Sequence, residues 1–166
     1  MFPAMRRSRQ ALTGQACEEI LRCDSHGVLA LAGEGGYPYA VPLSFVYQPG
    51  RIYFHSAGQG HKIEAIRREE KASFCVVEAD RVVPEEYTTY YRSVIAFGRI
   101  RLLEGEEEKL AAIRLLAEKY HPSGAEARRE EAIRREWRAL AMLELQIEHL
   151  SGKEAIELTR RRESGA

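Results

Sequence analysis

The stretch HSAGQGHK, residues 55–62, brings together side chains that suit the binding of an anion. A strand-like run ends at His55, two glycines permit a sharp turn, and a helix is expected to begin near His61. A helix start already carries partial positive charge, so His61 and Lys62 are unfavourable there unless an anion neutralises them. The unpaired N–H groups of the first turn point at the same place. The spacing favours a phosphate site, although a solvated helix start with a surface lysine explains the same residues.

Two further side chains of this stretch could take part in chemistry. Ser56 offers a hydroxyl just before the turn, and His55 ends a predicted strand in which Tyr53 and His55 face one side and Phe54 the other. A histidine at a strand end is a candidate ligand contact or acid–base group, and a structural hydrogen bond is the alternative. The sequence contains neither a P-loop nor a GxGxxG motif, and it contains no HExxH zinc motif.

The elements that position these residues follow from the hydrophobic periodicity, which predicts a mainly β protein with flanking helices. Strands are predicted at 27–33, 39–47, 51–56, 71–79, 93–104 and 142–152. Helices are predicted at 13–22, 61–70, 106–120 and 125–140. Six strands joined mostly by short turns indicate a small antiparallel barrel. We expect one domain over residues 1–166, with a frayed tail at 159–166.

Pro42 interrupts the second predicted strand. Proline has no N–H to donate to a neighbouring strand, so it marks an edge, a bulge or an opening in the barrel wall. An opening at this strand would give a flat ligand a place to bind.

The segment VPEEYTTYYRS, residues 83–93, is rich in tyrosine and hydroxyl side chains. It is predicted to be a polar loop. Such a loop suits the lining of a pocket for a planar heterocycle, through stacking and hydrogen bonds. The alternative is an ordinary loop that packs its tyrosines over one end of the barrel.

Composition and charge argue against several classes of protein. The 166 residues are 45% hydrophobic and 30% charged, as in soluble globular proteins. Lys plus Arg and Asp plus Glu each number 25, and a net charge of zero argues against a nucleic-acid-binding protein. No apolar run is long enough to span a membrane. The three cysteines, Cys17, Cys23 and Cys75, form no CxxC pair, which argues against a zinc site and for a reducing, cytoplasmic location.

Eight stretches, in this order, resemble the Nim-type 5-nitroimidazole-resistance proteins of the pyridoxamine 5′-phosphate oxidase-like flavoproteins: MRRSRQ, GVLAL, YPYAVPLSFVY, RIYFHSAGQGHKIEAI, KASFCVV, VVPEEYTTYYRSVIAFG, LAEKYHP and IEHLSGKEAIEL. The resemblance extends from about Met5 to Leu158. It implies a split β-barrel that forms a homodimer with a flavin at each dimer interface. FMN is the usual cofactor, and FAD stays open. The implied activity is reduction of the nitro group of a nitroimidazole to an amine.

The resemblance also implies roles for individual residues. His61 and Lys62 match the basic pair that holds the flavin phosphate, and His55 and Ser56 match positions beside the flavin. His55 is the implied catalytic, substrate-proximal histidine, with His61 as the alternative.

Ring contacts are implied on two strands. The second strand matches the one whose backbone lies along the isoalloxazine, through Val41, Pro42, Leu43 and Ser44. Ser93, at the start of the fifth predicted strand, matches a position that contacts the ring.

One departure separates this sequence from the parent oxidases. Those enzymes carry a C-terminal segment rich in Arg and Pro that binds pyridoxal phosphate, whereas this chain ends its last strand with HLSGKEAIEL. A true pyridoxamine 5′-phosphate oxidase is therefore not expected. The leading hypothesis is a flavin-dependent oxidoreductase that acts on small nitroaromatic compounds. A haem-binding or haem-degrading barrel with His55 as axial ligand, and a flavin-binding sensor or storage protein, are the alternatives.

Overall fold

The computed structural model describes residues 2, 4–123 and 125–165. The strands are β1 His26–Ala32, β2 Pro38–Ser44, β3 Val46–Gln48, β4 Arg51–Ala57, β5 Lys71–Val83, β6 Thr88–Leu102 and β7 Leu140–Glu154. The α-helices are α1 Gly14–Cys23, α2 His61–Arg68, α3 Glu106–Tyr120, α4 Glu126–Glu136 and α5 Ile156–Ser164. Short 3₁₀ turns lie at Ser8–Gln10, Glu34–Gly36 and Pro84–Glu86.

The strands of the described residues form one antiparallel sheet in the order β2-β1-β5-β6-β7-β4-β3. This confirms the mainly β class with flanking helices. The sheet has 7 strands rather than the predicted six, and its edges, β2 and β3, do not pair with each other. The barrel is therefore open along one side.

Phe45 explains the additional strand. Its backbone N–H donates to the Tyr120 hydroxyl at 3.1 Å, and its carbonyl accepts from the same hydroxyl at 3.1 Å. The predicted strand at 39–47 therefore breaks at Phe45 into β2 and β3. These two pieces lie at opposite edges of the sheet, so the chain crosses the opening at this residue.

Pro42 lies on the edge strand β2, as its missing N–H predicted. It is opposite Val28 of β1, and the far side of β2 has no strand neighbour among the described residues. The edge position removes the conflict between a proline and a sheet.

The predicted loop at 83–93 is wrong in extent. β5 and β6 form a long hairpin in which Val83 pairs with Thr88 and Arg81 with Tyr90. Threonine and tyrosine favour strands, so their pairing across the hairpin overrides the polar composition of the segment. The turn is confined to 84–87, and its last residue, Tyr87, is 98% exposed.

The core fills the barrel and continues beneath the helices on one side. Phe45, Phe54 and Phe74 are fully buried. The ring of Phe74 meets those of Phe45 and Phe54 edge to face, with centroids 4.9 Å apart in each pair. A second cluster, which includes Met142 of β7 and Ile113 of α3, lies between the outer face of the sheet and the helices α3 and α4. β7 is therefore buried on both faces near its start.

The prediction of a frayed tail is also wrong, since α5 continues to Ser164. The Glu154 carboxylate is 1% exposed and accepts from Arg162 Nε at 2.9 Å, with Arg92 Nε at 3.4 Å. A buried carboxylate requires such partners, so this ion pair ties the second half of α5 to the end of β7. Arg9 forms an ion pair with Glu163, the residue that follows Arg162 in the helix. Ala166, the last residue of the predicted tail, lies outside the described residues.

Candidate functional site

The turn between β4 and α2 presents an uncapped helix start. Gly60, the N-cap residue, has a φ of 104°, a backbone conformation that residues other than glycine rarely adopt. It provides no side-chain cap. Its carbonyl accepts from the N–H groups of Ile63 and Glu64 at 2.9 and 3.2 Å. α2 therefore begins at His61 as the sequence predicts, and its first N–H groups face outward without intrahelical partners.

Lys62 places a cation at this helix start. Its Nζ donates to the Ser56 hydroxyl at 2.9 Å, which directs the ammonium back toward the end of β4. Partial burial lowers the pKa of Lys62 from its ordinary value, because the surrounding protein replaces water around the charged form. A half-buried ammonium beside free helix N–H groups is well suited to an anion of one or two charges.

His61 is oriented by an aromatic contact. Its ring stacks on Tyr39 of β2 with the ring centroids 4.3 Å apart and the planes 11° from parallel. The contact joins the start of α2 to the edge strand. Tyr39 is not among the predicted site residues, although it lies two and four residues before Val41 and Leu43 and so shares their face of β2.

His55 points away from the barrel interior. It pairs with Met142 of β7, and its neighbour Phe54 is fully buried on the opposite face, which confirms the predicted alternation. Partial burial, and then the positive charge of Lys62, lower the pKa of His55 below its ordinary value. The imidazole is therefore held toward its neutral form while Lys62 is uncompensated.

A cavity of about 530 Å³ lies between the edge strand β2, the end of β4 and the start of α2. Among the described residues that line it, none is Asp or Glu. The lining residues are Tyr39, Pro42, Leu43, Ser44, His55, Ser56, Ala57, Gln59, Gly60, His61 and Lys62. We call this space the polar cavity. Its volume is within the range of small-molecule and cofactor sites.

A family model described as pyridoxamine 5′-phosphate oxidase matches residues 13–154. The chain belongs to this oxidase family. The matched range contains the whole polar cavity. A search of curated protein sequences gives no significant match.

Solved structures similar to this oxidase-family chain share its fold. A protein from Bacteroides thetaiotaomicron, provisionally named a 5-nitroimidazole antibiotic resistance protein, is 21% identical, with a TM-score of 0.74 over 87% of this chain and 86% of that one. An FAD-binding protein from Mesorhizobium loti is 26% identical, with a TM-score of 0.65 over 87% and 96%. An FAD- and haem-binding protein from Mycobacterium smegmatis is 19% identical, with a TM-score of 0.71 over 88% and 73%.

The oxidase-family chain gathers most of its predicted site residues at the polar cavity. Those that line it are Pro42, Leu43, Ser44, His55, Ser56, His61 and Lys62. Val41 does not, although it shares its face of β2 with Leu43 and packs against the same core. Ser93 does not either, because it lies in the middle of β6, paired with Val77 and Lys153. Within one chain Ser93 is therefore separate from the other predicted site residues.

Two absences concern the described part of the chain. Within the described ranges, no group of three or more His, Cys, Asp or Glu side chains is arranged to hold a metal ion. None of the helices that the structure describes has the length and apolar character needed to cross a membrane.

Proposed function

We propose that this chain binds a flavin in the polar cavity and is an oxidoreductase that reduces small nitroaromatic compounds of the nitroimidazole kind. The observation that carries the proposal is the half-buried Lys62 ammonium at an uncapped helix start, beside His55 and the open edge of the barrel. The cavity supplies a cation, free N–H groups and no carboxylate among its described lining residues. Those are the requirements of a bound phosphate ester.

Different residues of the polar cavity would hold different parts of the cofactor. Lys62 and the first N–H groups of α2 would hold the phosphate, and Ser56 would keep the ammonium in place through its 2.9 Å hydrogen bond. The edge of β2, from Pro42 to Ser44, forms a wall that suits a flat ring. A bound flavin would supply the electrons for the reduction.

His55 would supply protons. Reduction of a nitro group consumes protons together with electrons, and an imidazole exchanges protons near neutral pH. In the free protein the Lys62 charge opposes protonation of His55. A phosphate bound to Lys62 would compensate that charge, so the imidazolium form would become more accessible when the cofactor is in place.

The relatives support the cofactor and substrate class without deciding between FMN and FAD. One similar structure carries a name linked to 5-nitroimidazole resistance, and two carry names stating that they bind FAD. We favour FMN, because the phosphate site at α2 satisfies its single phosphate. A true pyridoxamine 5′-phosphate oxidase activity is not proposed, because the Arg- and Pro-rich C-terminal segment is missing from 149–158.

A homodimer is part of the proposal. Val28 and Val77 are 41% and 54% exposed and lie on the outer face of the sheet, where Val28 pairs with the exposed Pro42. A second copy of the chain covering this apolar face would bury it. Ser93, opposite Val77, would then lie at the interface, where the ring of a flavin would reach it. A stable monomer in sedimentation at micromolar concentration, with flavin still bound, would contradict this.

A haem site is the second candidate, since one similar structure is named as an FAD- and haem-binding protein and His55 is exposed on the outer face of β4. The purified protein distinguishes the two. The proposal expects a yellow protein whose released cofactor is FMN by chromatography and mass spectrometry. Its flavin, once reduced photochemically without oxygen, should be reoxidised when a nitroimidazole is added. A Soret band would favour haem, and bound flavin without turnover would favour a sensor or storage protein. A cytoplasmic location stays a prediction.

A further inference from the structure

A second cavity, of about 600 Å³, lies between α3, α4 and the end of β4. His55, Ser56 and Ala57 line both this cavity and the polar cavity, so the two spaces meet at one short segment of β4. The other walls are mainly aliphatic and include Ile113, Leu116, Ala117, Ala132, Ile133 and Leu140. Four polar residues complete the lining with Tyr120 and Ala139: His121, Arg128, Arg129 and Glu136. We call this space the apolar cavity.

Polar contacts between α3 and α4 fix the spacing of the two helices. Arg114 of α3 donates from Nε and Nη2 to the two carboxylate oxygens of Glu130 of α4, at 2.7 and 3.0 Å. Trp137, which follows α4, donates from Nε1 to Glu106 at 2.9 Å and accepts at its carbonyl from Lys109 Nζ at 3.0 Å. The helices are therefore held together at several points along their lengths. The apolar cavity between them is a defined feature of the fold.

The base of the apolar cavity is fixed by Tyr120, at the end of α3. Its hydroxyl bonds to both the N–H and the carbonyl of Phe45, the residue that follows Ser44 of the polar cavity. One side chain thus anchors the helical wall of the apolar cavity to the strand wall of the polar cavity. The walls of the two cavities are therefore joined at this residue.

We propose that the apolar cavity is the substrate pocket and takes an uncharged aromatic molecule of one or two rings, with its reducible polar group turned toward His55. This inference rests on the proposed function and deepens it. Mainly aliphatic walls favour an apolar ring, because burying its surface removes it from water. Among the described residues, the segment common to both linings is 55–57, so the occupant would meet the polar cavity there. The volume fits a small molecule, and the phosphate of a cofactor has its cation in the other cavity.

Nitrobenzene is the probe, and calorimetry on the FMN-loaded protein measures its binding. Ala132→Phe places a phenyl ring in the apolar cavity from α4. Ala127→Phe makes the same change on the same helix at a position that does not line the cavity, and it is the matched control. Filling the site should weaken nitrobenzene binding by roughly tenfold or more, as expected when a ligand is displaced by added side-chain volume. The control should bind nitrobenzene as the wild type does, and both variants should keep their affinity for FMN.

The outcomes separate this inference from the proposed function. If Ala132→Phe binds nitrobenzene as tightly as the wild type, the substrate pocket is elsewhere. If it weakens FMN as much as nitrobenzene, the cavity holds part of the cofactor, and the inference is equally wrong. If Ala132→Phe does not fold, Ala117→Leu on α3 tests the same cavity with a smaller change. Selective loss of nitrobenzene binding, in a protein whose reduced flavin is not reoxidised by a nitroimidazole, would support the pocket and contradict nitro reduction.

Discussion

The polar and apolar cavities share three residues of β4 but are constructed in different ways. The polar cavity takes most of its lining from two short segments, 39–44 and 55–62, and its chemistry depends on one cation and the start of one helix. The apolar cavity takes most of its lining from α3, α4 and the segment before β7, which lie more than fifty residues further along the chain. The polar cavity is suited to bind through charge, and the apolar cavity through the fit of an apolar ligand. His55 is the point at which the two meet.

The largest expected effect is on the polar cavity. Lys62→Ala should weaken FMN binding by about 1.5–3 kcal/mol, the range for a lost hydrogen bond to a charged group. Riboflavin, which has no phosphate, should be affected less. Fluorescence titration measures both affinities, and Lys71→Ala, an exposed lysine at the start of β5, is the control. Unchanged FMN affinity would mean that α2 merely begins with a solvated lysine.

The next largest effect is expected on turnover when His55, which lines both cavities, is replaced. His55→Ala should keep the flavin and lower nitro-substrate turnover by at least roughly tenfold, at the low end of general-acid effects. His149→Ala, a histidine that lines neither cavity, is the control. Steady-state kinetics and the flavin spectrum are the measurements.

His61→Ala should do the reverse of His55→Ala and weaken the cofactor more than the chemistry, because His61 is stacked on Tyr39 beside the phosphate position. Loss of flavin in His55→Ala would make that residue a cofactor clamp. Full turnover without it would move the proton source to water or to the hydroxyl side chains at 87–93.

A smaller effect tests the connection between the cavities. Tyr120→Phe removes the hydroxyl that satisfies both backbone groups of Phe45, and it should reduce the free energy of unfolding by about 0.5–1.5 kcal/mol. Urea denaturation measures the change. Tyr87→Phe removes a hydroxyl that is almost fully exposed and should leave stability unchanged. Equal stability of the two variants would show that Tyr120 does not join the two walls.

The difference between the cavities also explains what the sequence could predict. The strand end at His55, the glycine turn and the basic helix start are neighbours in the chain, so their types and spacing are enough to indicate an anion site. Pro42 predicts an edge because its missing N–H is a local property. The contact between Tyr39 and His61 and the apolar cavity arise from packing between segments distant in sequence, which local patterns do not encode. The break at Phe45 has the same origin, since it depends on Tyr120, 75 residues away.

Two errors in the predicted elements have a related cause. The polar composition of residues 83–93 predicts a loop, yet the pairing of Arg81 with Tyr90 continues the hairpin. The arginine-rich composition of the tail predicts fraying. One of those arginines, Arg162, donates to the buried carboxylate of Glu154, so the tail is a helix joined to the end of β7 by an ion pair. In both segments the secondary structure depends on a contact with a residue elsewhere in the same chain, and amino-acid composition alone does not reveal that contact.

The smallest expected change is in a single proton affinity, and it measures the electrostatic coupling of the two cavities. Burial and then the Lys62 charge lower the pKa of His55, so that removing the positive charge must raise it toward its ordinary value. Lys62→Met should therefore raise the pKa of His55 in an NMR titration of the imidazole. FMN binding to the wild type should act in the same direction, because the phosphate compensates the ammonium.

The matched control for this titration is Arg128→Met, which removes an exposed cation from the lining of the apolar cavity. It should leave the pKa of His55 unchanged, because Arg128 is not among the causes of its shift. If His55 is the proton donor, turnover falls as the pH rises through the pKa of His55. A raised pKa shifts this decline in turnover to higher pH. The FMN-loaded enzyme should therefore stay active at a pH where His55 of the free protein is already neutral. An unchanged pKa in Lys62→Met and in the FMN complex would mean that the cation which holds the cofactor does not influence the proton used on the substrate.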